Sequence, residues 1–211
     1  MGIWDKFFGN KKKTTSDKSP YLPPEEDLID IGFAKNFTQK GGRFLFCETA
    51  HDLVQSFEEI CIENQIEINQ IACLNPLLSQ NFSLNKIDQI SGKLTGFKAA
   101  LIECEYLISN TGKILLSEYQ IKHFKLSELP QIIIVKAATN QLVRDVSQGM
   151  TSLKNKYPNA IPTNITTLKI KAETVEEEIK IEAPSSSPKS IYLLLKDSWI
   201  YAYKHCVFFL Y

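Results

Sequence analysis

Residues Gln131 to Lys136 hold Ile132, Ile133, Ile134 and Val135 in unbroken succession. β-Branched side chains favour extended backbone, and an apolar run without polar alternation is stable as a strand only where both its faces are covered. That one segment therefore demands a sheet with a layer on each side. Ile191 to Leu195 reads the same way, and shorter apolar runs at 43–47, 70–74, 97–102 and 113–117 supply further strands. Between them lie patterns of helical period. Glu25 to Lys40 places Leu28, Ile31, Ala34 and Phe37 on one face and stops at Gly41-Gly42. Thr49 caps a helix carrying Leu53, Phe57, Ile60 and Cys61, and Thr139 precedes Leu142, Val143, Val146, Met150 and Leu153. Glu103 to Asn110 reads as a short turn or helix between two strands. Strands alternating with helices of this length predict a three-layer α/β fold, a mainly parallel twisted sheet with helices on both faces. A chain of 211 residues, 44% hydrophobic, is long enough to bury such a core without a metal or disulfide staple.

Charge and cysteine usage narrow the function classes. With 24 Lys+Arg against 24 Asp+Glu the chain is neutral, which argues against a broad phosphate-binding face and so against nucleic acid as a partner. No apolar run reaches the ~20 residues of a membrane-spanning helix. Met1 to Asn10 lacks the apolar core of a secretory leader, so a cytoplasmic protein is expected. Residues 1–24 read as a basic and apolar tail. Ile3, Trp4, Phe7 and Phe8 ahead of Lys11-Lys12-Lys13 offer a membrane contact through residues 1–13, although a frayed, solvated terminus explains them better. Residues 25–197 form the single domain. Residues 198–211 pack six aromatics without a polar face, and their role stays open between a terminal strand, an anchor and an unrelated tail. The five cysteines contain no CxxC or CxxH spacing, so no metal and no cofactor is expected.

No phosphate-binding loop, nucleophile elbow or metal-helix motif is present. The segment with chemical content is Glu103-Cys104-Glu105-Tyr106 followed by Ser109-Asn110-Thr111-Gly112. Two carboxylates end an apolar strand, where an open α/β sheet forms its ligand crevice. The Ser-Asn-Thr-Gly turn offers small polar donors, with Gly112 free to adopt a positive φ. Such a turn suits an anionic ligand, and it is equally a normal strand connection.

Residues 104–116, Cys-Glu-Tyr-Leu-Ile-Ser-Asn-Thr-Gly-Lys-Ile-Leu-Leu, resemble the ADYxIAETGTIVL signature of the LUD-domain family, which includes the lactate-utilisation LutC/YkgG proteins. Leu126 to Pro130, the strand Ile132 to Val135 and Gln141-Leu142-Val143 follow in that family's order. The resemblance is clear over 97–143 and weaker over 43–196. It implies the NagB/RpiA/CoA transferase-like fold, and a role in bacterial L-lactate oxidation beside iron–sulfur and FAD-linked subunits that carry the redox chemistry. It places ligand-binding groups at Glu105, Asn110, Thr111 and Gly112, at Thr163 and Asn164, and at Ser185, Ser186 and Ser187. The family's acidic residue in the turn is replaced by Asn110 and its loop histidine by Ser186. Hydroxyls and amides hold a ligand well and move protons poorly, so Glu105 is the one candidate for a catalytic role. The expectation is a LUD-domain accessory or ligand-binding subunit with a small anionic ligand. The alternatives are a CoA-transferase or cyclo-ligase type enzyme using Glu105, and an interaction module with a decayed pocket.

Overall fold

A computed structural model describes residues 28–84, 94, 96–168, 170 and 189–198. The expected tail at 1–24, the aromatic segment beyond Ser198 and the Ser185–Ser187 loop lie outside the described residues.

The central sheet has five strands, all parallel, in the order β1-β9-β6-β3-β2. These are β1 (Arg43–Cys47), β2 (Ile71–Cys73), β3 (Ala99–Glu103), β6 (Ile132–Ala138) and β9 (Ser190–Lys196). The isoleucine-rich β6 lies in the middle, with Ile133, Ile134 and Val135 fully buried. Side chains alternate across the sheet with the two-residue period of a strand. Ala99, Leu101, Ile134, Tyr192 and Leu194 point to one layer, while Ala100, Ile102, Ile133, Val135, Ile191 and Leu193 point to the other.

Helices α2 (Ala50–Glu63) and α3 (Pro76–Asn81) cover the first face with Leu53, Phe57, Ile60 and Leu78. Helix α2 starts where its sequence says it should. The Thr49 hydroxyl accepts from the Asp52 N–H, and the Asp52 carboxylate accepts from the Thr49 N–H. The other face is built differently from the expectation. It is covered by α1 (Ile29–Thr38), through Phe33 and Phe37, and by a second, four-stranded sheet ordered β7-β4-β5-β8.

Two local expectations change with this second sheet. Residues 106–108, expected as turn or helix, form strand β4 (Tyr106–Ile108), antiparallel to β5 (Lys113–Leu116); β5 therefore leaves the central sheet. Burial of Leu107 in the core beside the central sheet and of Ile108 with Leu115 and Val143 outweighs the polar residues around them. The helix expected from Thr139 begins only at Val146. Residues Thr139–Gln141 make a tight turn, β7 (Leu142–Val143) pairs in parallel with β4, and Asp145 then caps α5 (Val146–Lys156) by accepting from the Gln148 N–H at 2.8 Å. Gln141 drives the detour, accepting from the Ala138 N–H and donating to the carbonyls of Cys104 and Glu105. The last strand of this sheet, β8 (Thr166–Leu168), pairs antiparallel to β5. Among the described residues no helix is long and apolar enough to cross a membrane.

Candidate functional site

Parallel strands that end on the same side leave a crevice where their connections diverge. Here the carboxyl ends of β2 and β3 open into a cavity of about 330 Å³, closed from the side by the short helix α4 (Glu118–Ile121) and the end of α5. Glu103, the last residue of β3, lies beside Lys136 of β6 in the strand register, and Lys136 Nζ donates to Glu103 Oε1 at 2.8 Å. Asn75 donates from Nδ2 to Glu103 Oε2 at 2.7 Å while its Oδ1 caps α3, so one side chain ties the helix start to the carboxylate. The Glu103 side chain stays 33% exposed.

Glu105 is placed otherwise. It is fully buried, and each of its carboxylate oxygens is engaged. Oε1 accepts from Ser117 Oγ at 2.7 Å and Gln120 Nε2 at 2.9 Å, Oε2 accepts from Lys156 Nζ at 2.8 Å, and the Tyr157 hydroxyl lies 3.3–3.4 Å from both. Burial pushes its carboxyl up, but the hydrogen bonds from Lys156, Gln120 and Ser117 outweigh burial and hold it below its ordinary range. The pair acts on Lys156 in the complementary sense: partial burial lowers the ammonium, the hydrogen bonds and charge of Glu105 and Tyr157 together raise it more, and the side chain remains cationic with 44% of its surface exposed. Tyr157, raised by burial and by the Glu105 charge among other effects, stays a neutral donor. Its ring lies 5.1 Å from that of Tyr119, forming an aromatic wall. Cys104 beneath the crevice is buried, and burial together with Glu105 and Glu103 pushes its thiol far up, so it is inert.

The residues singled out from sequence fall into separate places. Glu105 lies before β4 and Asn110-Thr111-Gly112 after it, at opposite ends of a hairpin whose strand alone spans ~10 Å. The turn is packed under α1. Asn36 Nδ2 donates to the Ser109 carbonyl at 2.8 Å, Ser109 Oγ to the Ile29 carbonyl at 2.7 Å, and Lys40 Nζ to the Thr111 carbonyl. Gly112 takes φ +59°, and a Cβ there would sit 2.6 Å from the α1 backbone at Asn36 and Phe37. Thr163 is on the Glu105 side, donating from its N–H and hydroxyl to Glu118, next to Ser117; this holds the Glu118 carboxyl low. Asn164 is exposed at φ +53°. The structure thus brings Glu105 and Thr163 to one end and leaves the Asn110 turn at the other.

Asn75, Gln120, Lys136, Lys156 and Tyr157 were not singled out by sequence. The signal that reaches some of them is an opposite charge closing each of two apolar runs, Glu103 and Lys136. Among the described residues no three His, Cys, Asp or Glu side chains converge as a metal centre requires.

This layout, with a parallel five-stranded sheet, a small second sheet on one face and a polar crevice at the strand ends, defines an α/β protein of the class anticipated. The LUD-domain family model matches residues 32–195, well over half the chain, and the chain belongs to that family. The fold is similar to the crystal structure of a DUF162-family protein from Deinococcus radiodurans, with a TM-score of 0.57 and 17% identity over 80% of this chain and 96% of that one. No curated protein matches the chain.

Proposed function

We propose that this LUD-domain protein is a binding subunit for a small organic carboxylate, and that its setting is bacterial L-lactate utilisation, beside iron–sulfur and FAD-linked subunits that carry the electrons. The observation that supports it is Lys156. Its ammonium is anchored by a buried carboxylate, and its side chain, 44% exposed, lines the crevice together with Tyr157 and Gln120. A ligand carboxylate laid against that group gains a charge-assisted hydrogen bond without the cost of ordering a free lysine. The family resemblance supplies the lactate setting and the partners.

The enzymatic alternative is less well supported. A nucleophile or base needs an oxygen that meets the substrate, whereas Glu105 is enclosed, has both oxygens occupied and is held anionic. In this reading Glu105 is a positioning residue acting through Lys156.

Calorimetric titration with L-lactate and pyruvate tests the proposal. Lys156→Met should weaken binding by about ten- to a hundredfold, the worth of one charge-assisted hydrogen bond, while Lys156→Arg should retain most of it. Binding that is absent in the native chain, or unchanged in Lys156→Met, refutes the carboxylate site. Failure to co-elute with purified iron–sulfur and FAD-linked lactate-oxidation subunits refutes the setting.

A further inference from the structure

The crevice is charged at two points, and the two charges differ in sign. Of the described residues that line it, Lys156 is the one base and Glu103 the one acid. Each belongs to an ion pair whose other member stays out of the lining: Glu105 holds Lys156 at 2.8 Å, and Lys136 holds Glu103 at 2.8 Å. One pair therefore presents its cation to the cavity and the other its anion. The pairs are neighbours, because Glu103 and Glu105 are two residues apart and their Cα atoms lie within ~7 Å. Cys104, between them, feels the charges of all four groups. Both lining groups keep bonding capacity among the described residues. Glu105 takes one of the three N–H donors of Lys156, and each Glu103 oxygen accepts a single bond, from Lys136 or from Asn75, which leaves it a further lone pair.

We infer that the ligand of this crevice is a zwitterion, a small amino acid whose carboxylate lies against Lys156 and whose ammonium donates to Glu103. The inference rests on the carboxylate site proposed above and names a second group that its ligand carries. Charge balance favours an ammonium there. Glu105 already offsets Lys156 and Lys136 offsets Glu103, so the four charges sum to zero. A simple carboxylate adds an uncompensated negative charge to the cavity that Glu103 lines, whereas a zwitterion adds none and sets each of its charges against the opposite sign. A hydroxyl in place of the ammonium donates to Glu103 and leaves that repulsion standing. The exposure of the two lining side chains, 44% for Lys156 and 33% for Glu103, leaves both accessible to a ligand.

The test is calorimetric titration of the full chain at neutral pH with four three-carbon acids that differ in one group: propionate, L-lactate, L-alanine and 3-aminopropionate. A hydrogen bond to a charged group, screened by the partial exposure of Glu103, is worth about tenfold in affinity. L-Alanine or 3-aminopropionate should therefore bind about tenfold more tightly than propionate, with L-lactate between them. In Glu103→Gln the ratio of amino acid to propionate should fall to about one, and propionate itself should tighten, because the repelling charge is gone and Lys136 is left uncompensated; general damage to the crevice would weaken every acid instead. The comparison of acids on the native chain needs no variant, so it decides even if Glu103→Gln does not fold. Propionate and L-lactate binding as tightly as both amino acids overturns the zwitterion and leaves the carboxylate site standing, and so does a Glu103→Gln chain that keeps the native ratio. Absence of binding by every acid overturns both.

Discussion

Replacing Lys156 with methionine removes the cation from a carboxylate that water does not reach. Glu105 is 0% exposed, and its one charged partner among the described residues is Lys156 Nζ at 2.8 Å. Removing one member of a buried ion pair costs ~3–5 kcal/mol, because the remaining charge stays desolvated. Two features reduce that figure here. The lysine end is partly solvated, so the pair is screened, and Ser117, Gln120 and Tyr157 remain as neutral donors to Glu105. About 2 kcal/mol is left, which for a domain of this size lowers Tm by ~4–8 °C.

The measurement is urea and thermal unfolding of the native chain, Lys156→Met, Glu105→Gln and the double variant. Glu105→Gln removes the buried charge and frees Lys156 to solvate, so the double variant should be less destabilised than the sum of the singles by ~1 kcal/mol. Proton linkage gives a second readout. The folded Glu105 carboxyl is depressed, so its stabilisation is complete above the unfolded value of ~4.3 and disappears as pH falls through the lower folded value. The gap between native and Lys156→Met chains should therefore be widest near neutrality and close on acidification. A gap below ~0.5 kcal/mol at pH 7, or additive single variants, would refute the claim that Glu105 anchors Lys156.

Gly112→Ala should cost about 2–4 kcal/mol in chemical unfolding, since it combines a left-handed backbone with a Cβ driven into α1. A loss under ~1 kcal/mol would show that α1 yields. Thr111→Val should be neutral or stabilising by up to ~1 kcal/mol and leave lactate titrations unchanged, because Thr111 Oγ1 is buried without a hydrogen-bond partner among the described residues; weakened binding would return the turn to the site. Cys104 should resist iodoacetamide at neutral pH in the native chain and react only on unfolding, as peptide mapping by mass spectrometry would reveal.

The central sheet was legible because its information is local. The runs 43–47, 70–74, 97–102, 131–136 and 191–195 each overlap a strand of that sheet, with bounds that agree to within two residues. The capping box at Thr49 and the stop at Gly41, which takes φ +85°, are equally local. The second sheet was not legible for the opposite reason. Its strands β4 and β7 have three and two residues, too few to display a period, and β7 exists only because Leu142 and Val143 meet Leu107 and Ile108, 35 residues earlier. The Gln141 side chain that bends the chain there bonds to carbonyls at 104 and 105, a contact invisible in any window around it.

The site divides along the same line. Glu105 and Lys156 are 51 residues apart on a strand end and a helix end of different layers, and no spacing rule joins them. Glu103 and Lys136 are different, since parallel strands in register turn a sequence coincidence into a contact. Ala99 aligns with Ile132, so the residues four further on, Glu103 and Lys136, must stand side by side at the carboxyl edge. Each closes an apolar run that both layers bury, and each carries the charge the other lacks. A charge closing the apolar run of a doubly covered strand has no reason of packing to be there, and two of opposite sign in register satisfy each other near the place where an open parallel sheet receives its ligand. Reading strand ends against one another, after the parallel pairing is inferred, therefore locates this crevice better than reading the polar turn, whose Gly112 answers to the backbone of α1.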